Sequence, residues 1–113
     1  MIVKVCGITS VEDGLLALRE GANALGFNFW RSSPRYILPH EASKIITELR
    51  RHFDSESFLT VGVTVGSTGW DQAPTDVLQL HGFAEPSLLP KTTKRIWVAV
   101  GPEMVAYFPS SEV

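Results

Sequence analysis

At 113 residues, with 44% hydrophobic content and a formal net charge of −2, the chain has the size and apolar fraction of one globular domain, which excludes a disordered tail. Acids and bases are interspersed, so there is no basic stripe to neutralise nucleic-acid phosphates or anionic lipid, and no apolar run is long enough to span a bilayer. The single cysteine, Cys6, excludes an internal disulfide and a cysteine-based zinc cluster and fits a cytoplasmic protein.

Residues 2 to 6 (IVKVC) are short and β-branched and predict a strand, entered without the basic region of a signal peptide. Ser10 then opens a helix. Its hydroxyl can accept from the amides of the first turn, and Asp13 three positions on completes a capping-box pattern. Val11, Leu15, Leu18 and Ala22 fall on one face, and Gly21 suits the left-handed position that ends such a helix. Ala24 to Trp30 (ALGFNFW) is a second strand, followed by the polar loop Arg31 to Tyr36. Pro39 opens a second helix, because its fixed φ and missing N–H suit the first helical position. The apolar stripe of this helix is Ala42, Ile45, Ile46, Leu49 and Phe53, with Glu41, Lys44, Glu48 and Arg51 off it.

Leu59 to Val65, Asp76 to Leu80 and Arg95 to Val100 predict the third, fourth and fifth strands. Between the third and fourth, residues 66 to 75 hold two glycines and a proline with no helical periodicity, so a loop is expected where a helix would otherwise stand. That loop would leave one side of the third strand uncovered. Ala84 to Leu89 reads as one or two helical turns, and Glu103 to Phe108 as the start of a helix.

Near-continuously apolar strands alternating with helices predict an α/β fold, a parallel sheet covered by helices with right-handed crossovers. Neither G-x-G-x-x-G nor G-x-x-x-x-G-K-[ST] follows any strand, which removes the main support for an open nucleotide-binding sheet. The remaining architecture is about five strands of an incomplete (β/α)8 barrel, in a single domain over residues 1–113. In such a barrel the functional face is built from the C-terminal ends of the strands. Cys6, Asn28 with the Trp30 to Tyr36 loop, and His81 all fall there.

Each of these residues has a bland reading beside a functional one. Cys6 is a small buried hydrophobe, or a thiolate favoured by Gly7 and by the start of the helix at Ser10. Arg35 is a solvated loop charge, or a planar fork for a substrate carboxylate. His81 is a hydrogen-bonded core histidine or a substrate contact. Trp30 and Tyr36 are packing, or the wall of a pocket for a flat aromatic ring.

The segments Lys4-Val5-Cys6-Gly7-Ile8-Thr9, residues 21 to 30 (GANALGFNFW), Ser33-Pro34-Arg35-Tyr36 and Gln79-Leu80-His81-Gly82 resemble the signatures of phosphoribosylanthranilate isomerase, in that family's order and with nearly its spacing. The resemblance implies an Amadori rearrangement in tryptophan biosynthesis, without metal or organic cofactor. In it, an aldose attached to anthranilate opens and becomes a 1-deoxy-ketose. This chemistry asks for a general acid at the furanose ring oxygen and a general base at the C2′ proton. By resemblance Cys6 matches the general base, Arg35 the holder of the anthranilate carboxylate and His81 a signature residue near the site, while Trp30 keeps its reading as a substrate-binding pocket wall.

The sequence also departs from the family. The general-acid aspartate of the sixth strand is absent from this chain, which stops at Val113 before such a strand. Asp76 lies at the N-terminal end of its strand, the stability face of a barrel. The phosphate site expected after strands seven and eight is likewise missing, and a whole barrel needs at least about 200 residues. The expectation is a chain inactive alone, with sheet edges at the first and fifth strands that invite self-association. A rival reading is a non-catalytic half-barrel that binds an aromatic carboxylate or serves in assembly.

Overall fold

The computed structural model describes residues 1–54, 56–65, 73–81, 94–99 and 105–108. Its elements in chain order are β1 (Lys4–Val5), α1 (Val11–Arg19), β2 (Ala24–Asn28), α2 (Pro39–His52), β3 (Leu59–Val65), β4 (Val77–His81), β5 (Arg95–Ala99) and β6 (Val105–Phe108).

Local chemistry sets the helix ends. Ser10 is the N-cap of α1, and its Oγ accepts from the Asp13 amide at 3.1 Å, which satisfies one of the free donors of the first turn. At the other end Gly21 takes a φ of 104°. The Gly21 amide donates to the Leu18 carbonyl at 3.2 Å and the Ala22 amide to that of Ala17 at 3.0 Å, the paired bonds of a Schellman motif that needs a residue free of a β-carbon. Pro39 starts α2 behind an extended Leu38 that offers no side-chain cap. The predicted stripe of α2 is its buried face: Ala42, Ile45, Ile46 and Leu49 are buried and Phe53 packs against them.

Strands β1 to β5 are parallel and lie side by side in chain order. Alternation along each strand divides the side chains between two faces. Leu25, Phe27, Leu78, Leu80 and Ile96 meet the helices in the larger core, while Ala24, Val61, Val63, Val77 and Trp97 form a second cluster on the opposite face. Across that second face Lys4 Nζ of β1 donates to Gln79 Oε1 of β4, although β2 and β3 stand between them. At about 4.8 Å per strand spacing a flat sheet would hold those strands roughly 14 Å apart, so the bond marks a sheet curled as a barrel wall is.

Three expectations need correction. Residues 105 to 108 are not a helix: they form β6, antiparallel to β5, with Ile96 opposite Phe108 and Ala99 opposite Val105. Val105, Tyr107 and Phe108 are β-branched or aromatic, and the edge of β5 offers them a row of backbone partners. The edge expected to be open at the fifth strand is therefore occupied, and among the described strands the sheet ends at β1 on one side and β6 on the other. Nor is β3 uncovered. Thr60 and Thr64 on its outer face are fully buried, and Ala73 and Thr75 lie against Gly62 between them. A β-carbon at Gly62 would stand 2.7 Å from Thr75 Oγ1 and 2.9 Å from Phe29 Cε2, so the absence of a side chain there lets this segment close over the strand.

Residues 73 and 74 are neither helix nor strand; the rest of the expected loop, 66 to 72, and the turns expected at Ala84 to Leu89 lie outside the described residues. Strand ends differ from expectation by up to two residues, as at β1, which spans Lys4–Val5. No described helix is long and apolar enough to cross a membrane.

Candidate functional site at the C-terminal rim

All parallel strands point their C-terminal ends to one rim, and the sequence turns sharply there. After β1 the backbone at Gly7 takes a φ of 83°, and the amides of Gly7 and Ile8 both donate to the Gly26 carbonyl at 3.0 Å. This leaves Cys6 at the mouth of the sheet, exposed to solvent. Gly26 makes room for it, since a β-carbon at Gly26 would lie 2.9 Å from Cys6 Sγ and 3.1 Å from its Cα.

The loop after β2 is folded by its own short polar groups. Asn28 Oδ1 accepts from the Trp30 amide at 3.0 Å, and Ser33 Oγ from the Arg35 amide at 3.1 Å. The Ile37 amide then donates to the Asn28 carbonyl at 3.0 Å, which returns the chain to the end of β2. The result is to lay the Arg35 stem over Gly7, whose β-carbon would meet Arg35 Cγ at 3.2 Å. Cys6, Gly7, Ile8 and Arg35 line one open cleft of about 300 Å³ that continues between Val5 and α1, past Asp13, Leu16 and Glu20. The thiol and the guanidinium, 29 positions apart in the sequence, thus share a rim.

The other predicted residues fall around this pair in different ways. Trp30 is 44% exposed and stands outside the lining of that cleft. His81 ends β4 opposite Val65, so its backbone reaches the same rim, while its side chain lies outside the described residues. Asp76 sits at the opposite end of the sheet. Its carboxylate accepts from the amide and the hydroxyl of Thr60, each at 3.0 Å, and from Arg50 at 3.2 Å, tying β3, β4 and α2 together. Lys94 Nζ donates to the Ala73 carbonyl at 2.8 Å and to that of Thr75; burial lowers its ammonium below the ordinary lysine range and the Asp76 charge partly restores it.

Sequence reasoning missed Lys4 and Gln79 as a pair. The signal was present as two long polar residues inside otherwise apolar strand runs. Burial lowers the Lys4 ammonium below the ordinary lysine range, and negative charge at Cys6 acts in the other direction. Among the described residues no group of three or more His, Cys, Asp or Glu is placed to hold a metal ion.

No protein-family model matches the chain. Among curated proteins it is 38% identical over 115 residues to an N-(5'-phosphoribosyl)anthranilate isomerase of Geobacter sp. (strain M21), a match covering 98% of this chain and 56% of that protein. Among solved structures it is similar to phosphoribosyl anthranilate isomerase from Thermus thermophilus, with a TM-score of 0.65 and 37% identity over 78% of this chain and 44% of that one. It is also similar to a phosphoribosyl anthranilate isomerase crystallised with reduced 1-(o-carboxyphenylamino)-1-deoxyribulose 5-phosphate, with a TM-score of 0.64 and 35% identity over 78% of this chain and 46% of that one. The chain spans about half the length of the curated relatives it matches.

Proposed function

From a chain that belongs by sequence and fold with the phosphoribosylanthranilate isomerases, over about half of their length, we infer that it supplies the base and the carboxylate clamp of that Amadori rearrangement. In this reading the Cys6 thiolate removes the C2′ proton of the ring-opened Schiff base, giving an enolamine that becomes the ketose. Arg35 grips the anthranilate carboxylate through its planar fork, with His81 and Trp30 at the edge of the substrate. The observation that carries it is the meeting of Cys6 and Arg35 in one cleft at the C-terminal rim. The chain is proposed to act in the cytoplasm, where a lone thiol stays reduced.

The same reading makes the chain inactive alone. The carboxylates near the sulfur, Asp13 and Glu20, line the part of the cleft that runs between β1 and α1, and Asp76 is held at the far end of the sheet. No described carboxylate stands over the concave face to protonate the furanose oxygen. In a fluorescence assay that follows loss of phosphoribosylanthranilate, the isolated chain is expected to show no turnover. A polypeptide carrying the remaining strands of the barrel is expected to restore it. Turnover by the chain alone overturns this division of labour. Saturable anthranilate binding without turnover in the completed barrel would favour the rival, a non-catalytic half-barrel.

Self-association belongs to this proposal because of the β1 edge. Ile2, Val3, Val5 and Leu16 are all exposed there, and no described strand pairs with the outer side of β1. Such an edge with apolar flanks favours pairing with another chain. Light scattering on the isolated chain is expected to give a mass above that of one copy, and a clean, folded monomer would sink this part.

A further inference from the structure

We propose that Lys4 is a positioning residue for Cys6, its ammonium tethered across the concave face by Gln79 so that positive charge holds the sulfur in its ionised, proton-accepting form. The inference deepens the reading of Cys6 as the base, and rests on it only for its catalytic meaning.

The geometry starts with the strand. Lys4 lies opposite Ala24 in the parallel register of β1 and β2, and Cys6, two residues on, sits against Gly26. Alternate residues of an extended segment point to one side, so ammonium and sulfur stand on the same face. Lys4 is half-buried there. The described side chains on that face include the apolar cluster Ala24, Val61, Val63, Val77 and Trp97.

A lysine is a costly way to fill such a position, since burying an ammonium is unfavourable unless something compensates it, and methionine would fill similar space. The described compensation is unusual. No described ion pair involves Lys4. Its hydrogen-bond acceptor is the neutral amide oxygen of Gln79. Cys6 follows two residues along the same face, in the cleft it shares with Arg35, Asp13 and Glu20. A neutral tether leaves the positive charge uncancelled. Gln79 thereby holds the ammonium on the concave face without neutralising it, as a carboxylate in its place would.

Because Cys6 is the only thiol in the chain, alkylation by iodoacetamide reports on this sulfur alone, and reports its thiolate form. In the folded chain Lys4→Met is expected to slow alkylation at pH 7 about three- to tenfold and to move the rate-against-pH curve toward higher pH. Lys4→Arg is expected to keep both near the parent. In urea the Lys4→Met and parent curves are expected to fall close together, because the tether is gone. Circular dichroism and a thermal melt establish that each variant is folded; if Lys4→Met is not, Lys4→Gln, polar and uncharged, is read in its place.

A folded neutral variant with the parent curve overturns the proposal. So does a slower rate with an unmoved curve, which reports access to the sulfur and not its charge. Failure of the base reading shows elsewhere: Cys6→Ser that retains full turnover in a completed barrel would remove the catalytic role and leave the alkylation result standing.

Discussion

Truncating Leu49 to alanine is expected to lower the free energy of unfolding by about 2–5 kcal/mol, seen as a lower urea midpoint at an unchanged slope. Leu49 is fully buried on the stripe of α2 and meets α1 at Gly14. A β-carbon at Gly14 would lie 2.8 Å from Leu49 Cδ1 and 3.0 Å from its Cδ2, so the two helices approach where one of them has no side chain. That contact makes a sharper forecast possible. In the parent, Gly14→Ala gains about 1 kcal/mol of helix propensity and loses about 1–3 kcal/mol to overpacking, so it is neutral to destabilising. In the Leu49→Ala background the same methyl enters the void left by the missing isopropyl group, and the substitution becomes stabilising. The reversal of sign across the double-mutant cycle is the measurement. Equal effects in both backgrounds would mean that α1 and α2 do not meet at these residues.

What the sequence revealed and what it hid divide along the distance between the interacting parts. The cap at Ser10, the glycine turn at Gly21 and the start at Pro39 are decided within a few residues, and each was legible from side-chain chemistry alone. The stripe of α2 was legible because burial at Ala42, Ile45, Ile46 and Leu49 repeats with the helix period. Even the meeting of Cys6 with Arg35 followed, through the rule that parallel βα units gather their strand ends on one rim. The misses are all non-local. Glu103 to Phe108 reads as the start of a helix, but Val105 to Phe108 pair with β5, and the pull of an unpaired edge cannot be seen in a window of six residues. The cover over β3 depends on Gly62 admitting Thr75 and Ala73. The Lys4–Gln79 bond joins residues 75 positions apart, and only the curl of the sheet brings them together.

In a barrel completed by its remaining strands, Cys6→Ser and Arg35→Met are expected to fail in different kinetic terms. A general base contributes about 10²–10⁴-fold, and a serine hydroxyl at pH 7 is a far weaker base than a thiolate, so Cys6→Ser should lower kcat by that order with little change in KM. Arg35→Met keeps much of the stem that packs on Gly7 and removes only the fork. Hydrogen bonds to a charged group are worth about 1.5–3 kcal/mol, which corresponds to about a 10- to 150-fold rise in KM. Its effect on kcat should be small, because the carboxylate is held alike in ground and transition states. Steady-state kinetics on both variants separate the roles. If Cys6→Ser raised KM and spared kcat, the sulfur would belong to binding and not to proton transfer. If Arg35→Met left KM unchanged, the guanidinium at this rim would be only a solvated charge.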